Sequence, residues 1–237
     1  MSALLDIRDL RLNYGLFAAL SGVDLSVGAG EIVAVIGANG AGKSSLIRAI
    51  CGAERDVTGS VRLDRAELVG QRTPAIVRAG IGLVPEGRRI FAALSVEENI
   101  RLGGQLAGSD RGASPRTLEQ IWTLFPDLKE KRHLPGTDLS GGQRQMIAIG
   151  RALMTNPRIL LCDEISLGLA PIIIGRLYDQ LQKLAGEGMG ILVVEQAMRK
   201  ALAVSSRYYC MLEGHISFFG SSAGADEETV SRAYFGR

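Results

Sequence analysis

The residues best suited to chemistry stand where apolar runs of this 237-residue chain stop. The most specific group is Gly37-Ala38-Asn39-Gly40-Ala41-Gly42-Lys43-Ser44, which follows the run Ile32 to Ile36 and opens a helical pattern from Ser45 to Cys51. Glycines let a backbone wrap closely around a polyphosphate with its N–H groups pointing inward, and the helix N-terminus behind them adds partial positive charge. In such a cradle Lys43 reaches the β- and γ-phosphates and Ser44 ligates Mg²⁺. Gly37, Asn39, Gly40, Ala41, Gly42, Lys43, Ser44 and Ser45 are therefore the candidate phosphate-binding residues. A glycine-rich turn between a strand and a helix would not by itself account for Lys beside Ser.

Two further stretches could act on the same phosphates. Ile159-Leu160-Leu161-Cys162 is an apolar run ending in Asp163-Glu164. If that strand lies beside the phosphate loop, Asp163 can hold the Mg²⁺ shell while Glu164 polarises an attacking water. Two carboxylates at a strand end can also simply meet solvent. Leu139-Ser140-Gly141-Gly142-Gln143 places a hydroxyl and two glycines at a helix start, a second anion site or an ordinary N-cap. Tyr14, next to Gly15, either stacks on an adenine ring or packs at a strand end.

The elements that must position these groups read as α/β. Leu4 to Leu12 and Val23 to Val27 alternate apolar and polar residues, as antiparallel strands with one wet face do. Further strands are expected at Val57 to Leu63, Ile81 to Val84 and Ile191 to Val194, the last ending in Glu195-Gln196. A closing hairpin is expected from Tyr208 to Phe219 and a terminal helix from Glu227 to Tyr234. Between residues 87 and 156 the pattern turns helical, at Val96 to Leu102, Leu118 to Leu124 and Gln143 to Met154, with loops marked by Gly103-Gly104, Gly108 and Pro135-Gly136. This predicts a single domain over 1–237, with a core of 1–86 and 157–237 and a helical subdomain of 87–156. A further helix is expected from Ile172 to Ala185.

Composition bounds the alternatives. Forty-six per cent hydrophobic residues support a large core, and 27 basic against 25 acidic residues leave no basic stripe for nucleic acid. Cys51, Cys162 and Cys210 are widely spaced within apolar runs, as reduced core thiols of a cytoplasmic protein are. Asp6, Arg8, Asp9 and Arg11 interrupt the N-terminal run, and no stretch approaches the roughly 18 to 20 apolar residues of a membrane span. Membrane attachment is thus expected through a partner.

With two anion sites, a helical insertion between them and a strand ending in Asp-Glu, the chain resembles the ATP-binding subunit of an ABC transporter. The resemblance covers nearly the whole chain. Gly37 to Ser44 matches the Walker A motif, Leu139 to Gln143 the signature, Ile159 to Asp163 the Walker B strand and Ser166 to Ala170 the D-loop. It implies a P-loop NTPase core with an antiparallel β subdomain and an inserted helical subdomain. It implies ATP and Mg²⁺ as cofactors, Glu164, Lys43 and Gln196 as catalytic residues, and Ser44, Glu86 and Asp163 at the metal. Tyr14 takes the adenine-stacking position, and Ser140, Gly141, Gly142 and Gln143 face the γ-phosphate held by a second chain. Glu86 stands where the wider family has glutamine, Gln196 where it has histidine, and Ile165 where it has proline. Val84-Pro85-Glu86-Gly87-Arg88-Arg89 and Val194-Glu195-Gln196 are similar to one branch, the smaller ATPase of branched-chain amino acid importers (LivF type). Ala233-Tyr234-Phe235-Gly236 is similar as well.

That branch implies a related ATPase as heterodimer partner, permease membrane subunits, an external binding protein acting indirectly, and a peripheral place on the cytoplasmic face of the inner membrane. A soluble, non-transport ABC ATPase and a nucleotide-binding regulatory module with little turnover are the alternative readings. Long coiled-coil insertions or a second cassette would favour the first, and Ile165 with the missing histidine the second.

Overall fold

The computed structural model describes residues 3–105 and 116–235. Gly108 and Gly236, singled out in the sequence, lie outside them. β1 (Ala3–Tyr14), β2 (Phe17–Gly28), β4 (Val57–Leu63) and β5 (Ala66–Glu67) form an antiparallel sheet in the order β2-β1-β4-β5. The second sheet is built from β3 (Ile32–Ile36), β6 (Ile81–Val84), β7 (Ile159–Asp163), β8 (Gly190–Glu195), β9 (Arg207–Leu212) and β10 (His215–Ser221). Its order is β10-β9-β3-β8-β7-β6, parallel except for β10 on the edge. The α/β class expected from the alternation of patterns is the one observed.

The parallel strands are buried on both faces, which is why they read as unbroken apolar runs. Leu161, Leu192 and Val194 face one cluster with β1, β2 and α1 (Lys43–Ile50). Leu160, Cys162 and Val193 face the other way, onto helices. That second cluster is continuous across the helical stretch. It joins Ile100 of α3 (Val96–Gly104), Ile121 and Trp122 of α4 (Leu118–Leu124), Leu128 of α5 (Pro126–Glu130), Ile149 of α6 (Gly141–Leu153) and Leu181 of α7 (Pro171–Gly186). Each such side chain contributes about 1.5–3 kcal/mol by leaving water, so the helices that follow β6 are fastened to the sheet edge they leave. α8 (Met198–Val204) and α9 (Glu227–Phe235) close the β9 end, over Ala34 and Ile36. The three cysteines are free and buried, as expected of core thiols.

Boundaries differ from the sequence expectation in instructive places. β2 begins at Phe17 rather than Val23, because Phe17 and Ala18 are exposed and Ala19 and Leu20 buried, a pair-wise pattern without alternation. Between Arg72 and β6 the chain forms α2 (Thr73–Ala79), which, like α5 and α8, spans two turns or fewer and shows no period to read. Among the described residues no helix is long and apolar enough to cross a membrane.

Candidate functional site

The parallel sheet brings four loops to one edge. β3 pairs with β8 through Ile36↔Glu195, β8 with β7 through Val194↔Asp163, and β7 with β6 through Cys162↔Val84. The carboxyl ends of these strands therefore deliver Gly37, Gln196, Glu164 and Glu86 side by side, the place where open parallel sheets bind ligands. A cleft of about 520 Å³ opens there, lined among others by Gly40, Lys43, Ser44, Glu86, Glu164 and Gln196. Asn39, Gly42 and Ser45 also line it.

The phosphate loop can close this tightly only with glycine at two of its positions. Gly42 has φ 104° and forms the N-cap of α1, and a Cβ there would meet Ala19 O at 2.9 Å. A Cβ on Gly37 would come within 2.5 Å of Met211 O, so the strand exit packs against β9. Lys43 then points back into its own loop. Its ammonium is buried, donates to Gly37 O at 2.9 Å and Ala38 O at 3.1 Å, and lies 3.3 Å from Glu164 Oε1. One cation thus sits between the loop carbonyls and the carboxylate at the end of β7.

Negative charge exceeds positive at this edge. Asp163 is 8% exposed and its Oδ1 is buried with no hydrogen-bond partner. Burial first, and then the charges of Glu86 and Glu164, push its carboxyl up to about 6, with Lys43 and Arg48 opposing. An orphaned carboxylate oxygen, a second carboxylate in the cleft and the Ser44 hydroxyl at the start of α1 make a donor set of hard oxygens, which fits Mg²⁺. Among the described residues no cluster of three or more His, Cys, Asp or Glu forms a metal cage. Such an ion would depend on phosphate and water oxygens for the rest of its shell, as Mg²⁺ commonly does. Glu86 lines the cleft, whereas Arg88 Nη2 lies 3.2 Å from where a Cβ on Gly141 would sit.

Ionised Asp163 opposes folding when no cation accompanies it. A carboxyl whose folded pKa is raised contributes most stability below its unfolded value, and loses it as pH climbs from about 4 through 6. In chelator at pH 8, Asp163→Asn should therefore be more stable than wild type by about 1–2 kcal/mol, after allowance for screening at the open cleft. That advantage should vanish below about pH 4. Urea unfolding at both pH values checks this. Equal midpoints at pH 8 would mean the charge is already compensated.

Not every expected residue is gathered here. Tyr14 does not line the cleft: its hydroxyl donates to Glu54 Oε1 at 3.2 Å, and the aromatic on the wall is Phe17, 67% exposed and its cross-strand neighbour. The sequence did carry a signal for Phe17, an aromatic just past Gly15, but nothing in it told which of the two rings turns inward. Gly37 and Ala41 shape the loop from behind, Gly37 through its carbonyl and Ala41 as a buried side chain. Ser140, Gly141, Gly142 and Gln143 are absent from the cleft wall. They open α6, where the Ser140 hydroxyl accepts from the Gln143 amide at 3.2 Å and Gln143 Oε1 accepts from the Ser140 amide at 3.0 Å. That capping box is the plain role considered for this motif, and it leaves exposed Ser140 at the positive end of a 13-residue helix. Leu167 and Ala19 complete the wall, and neither was foreseen.

Comparison with known proteins gives a consistent picture. Residues 20–166 match the family model described as ABC transporter. The chain is 43% identical over 224 residues to the high-affinity branched-chain amino acid transport ATP-binding protein BraG of Pseudomonas aeruginosa, covering 94% of this chain and 95% of that one. It is 31% identical to the probable branched-chain amino acid transport ATP-binding protein LivF of Archaeoglobus fulgidus, covering 91% and 92%. It is also 32% identical to the lipopolysaccharide export system ATP-binding protein LptB of Escherichia coli, covering 90% and 89%. Among solved structures, the ADP conformation of an ATP-binding cassette of an ABC transporter superposes with a TM-score of 0.83 at 25% identity, over all of both chains. A nucleotide-free cassette superposes with a TM-score of 0.80 at 26% identity, over 100% of this chain and 96% of that one.

Proposed function

The chain belongs to the ABC transporter family of ATP-binding proteins, and from that premise we propose that it is the ATP-hydrolysing subunit of an importer for branched-chain or related amino acids. The observation that carries the catalytic part is the Lys43–Glu164 contact at 3.3 Å at the head of the parallel sheet. It supports reading Lys43 as the phosphate-binding cation and Glu164 as the general base of one reacting group. The substrate class rests on the 43% identity to BraG alone, since LivF at 31% and the exporter LptB at 32% do not separate.

On this reading each residue has a role. The loop amides and Lys43 bind the β- and γ-phosphates. Glu164 accepts the proton of the attacking water, and Gln196, a neutral amide on the cleft wall, donates to the γ-phosphate. Ser44, Asp163 and Glu86 would hold Mg²⁺, which when bound would neutralise phosphate charge. Phe17 offers its face to the adenine beside Tyr14. Phe17→Ala should weaken ATP binding about three- to tenfold, the 0.5–1.5 kcal/mol of an aromatic stack, and leave tripolyphosphate binding unchanged. Equal losses for both ligands, in parallel titrations, would take Phe17 off the base.

A single chain leaves half of the γ-phosphate charge uncompensated, because Ser140, Gly141, Gly142 and Gln143 at the α6 N-terminus do not line its own cleft. The helix end of one chain therefore completes the cleft of a second, related ATPase, and a permease holds the pair at the cytoplasmic face of the membrane. The helical region 87–156 is the part that carries this second half-site. The ATPase rate per chain, followed over a dilution series with and without the partner ATPase, tests the pairing. A rate per chain independent of concentration and of partner would contradict it.

A further inference from the structure

Glu195 is a buried titratable group that the reaction as described does not use. It ends β8, is 2% exposed, and stands one residue before Gln196. An ionised carboxylate out of water is tolerated only when its oxygens are satisfied. Three donors from the chain do this. The Ser166 amide reaches Oε1 at 3.0 Å, the Ser166 hydroxyl reaches Oε2 at 2.9 Å, and the Tyr178 hydroxyl reaches Oε1 at 3.0 Å. Burial outweighs these bonds and, with the charge of Glu164, holds the Glu195 carboxyl above the usual carboxylate range.

What the carboxylate grips matters more than that it is satisfied. Ser166 is the second residue after Glu164, in the loop that joins β7 to α7, and Tyr178 lies on α7 itself with 5% exposure. Glu164 has φ 46°, a conformation that a residue with a Cβ keeps only when its surroundings over-determine it. Two backbone bonds contribute, Glu164 N–H to Val194 O at 2.9 Å and Leu167 N–H to Glu164 O at 3.2 Å. Ile165 between them is buried but leaves its own φ free. The Ser166 clamp therefore removes the remaining freedom of the turn. It ties that turn to the strand whose next residue, Gln196, lines the cleft.

We propose that Glu195 is a positioning residue for hydrolysis, which by gripping Ser166 and Tyr178 fixes the Glu164 carboxylate relative to Gln196. The proposal rests on the reading of Glu164 as the base. It assigns Glu195 no contact with nucleotide and makes Ser166 and Tyr178 its instruments.

Glu195→Gln keeps size and shape and an oxygen for the Ser166 amide and the Tyr178 hydroxyl. Its N–H₂ then faces the Ser166 hydroxyl, which must turn from donor to acceptor, and the charge that strengthens all three bonds is lost. In the full chain, MgATP affinity should stay within about twofold and the melting temperature within a few degrees, while kcat at saturating ATP falls about ten- to a hundredfold. Ser166→Ala and Tyr178→Phe each remove one of the three bonds, and should lower kcat by smaller factors at the same affinity. In a Glu164→Gln background the single-turnover rate should drop less than twofold further on adding Glu195→Gln, since a clamp has no effect once its base is gone. Loss of affinity and melting temperature in step with kcat would overturn the proposal, as would unchanged kcat. If Glu195→Gln does not fold, unchanged kcat in both Ser166→Ala and Tyr178→Phe overturns it equally. Near-normal turnover by Glu164→Gln alone would instead overturn the assignment of the base.

Discussion

Glu164→Gln should lower ATP turnover by a factor of about 10²–10⁴ while binding MgATP within a few-fold of wild type. The carboxamide keeps the volume and one acceptor oxygen of the side chain but cannot take a proton from water. The contact with Lys43 changes from an ion pair at 3.3 Å to a charge-assisted hydrogen bond from the ammonium to the amide oxygen, so the phosphate loop keeps its shape and its ligand. Because the backbone of Glu164 is held by Val194 O through its own amide, the substitution does not release the turn. Steady-state hydrolysis and nucleotide titration on the same preparation separate the two effects. Turnover within tenfold of normal would show that another group accepts the proton.

Lys43→Ala should act on binding instead. The ammonium is the cation fixed between the loop carbonyls of Gly37 and Ala38 and the Glu164 carboxylate, and it is buried. Removing it withdraws the charge-assisted bonds to phosphate and leaves Glu164 facing that phosphate unpaired. A loss of about 3 kcal/mol, hundredfold or more in MgATP affinity, is expected. An affinity within threefold of wild type would remove Lys43 from the phosphate site.

These two residues were legible in the sequence because their signals are local. A strand, a glycine loop, a lysine and a helix occupy one short stretch, and Asp163-Glu164 interrupts a run too apolar to end that way without a reason. The relation between them was not legible. It depends on β8 lying between β3 and β7, a sheet order set by crossovers over more than a hundred residues, and that order is what brings Gln196 to the same sheet edge as Lys43 and Glu164. Glu195 was invisible for a related reason. A carboxylate at the end of an apolar run reads the same whether it meets water or, as here, Ser166 and Tyr178. The choice between Tyr14 and Phe17 turned on which side of a tight turn faces the cleft, and the turn is Gly15-Leu16, with Gly15 at φ 60° and Leu16 fully exposed. Alternation fails at that point, so the start of β2 was misplaced by the same feature that hid Phe17. The short helices α2, α5 and α8 were missed because none opens with a side-chain cap, the start signal that Thr117 and Gln120 give to α4, which is no longer than α2 or α8.

The central claim is that hydrolysis at this cleft drives import. Vesicles carrying the permease, the partner ATPase and this chain, with the binding protein outside and ATP inside, allow uptake of labelled leucine and phosphate release to be followed together. Wild-type vesicles should take up leucine only with ATP, and hydrolysis should rise when the loaded binding protein is added. Vesicles with Glu164→Gln in this chain should retain bound ATP and lose most of both activities. ATP hydrolysis that is indifferent to permease and loaded binding protein, with leucine uptake unaltered by Glu164→Gln, would contradict the account.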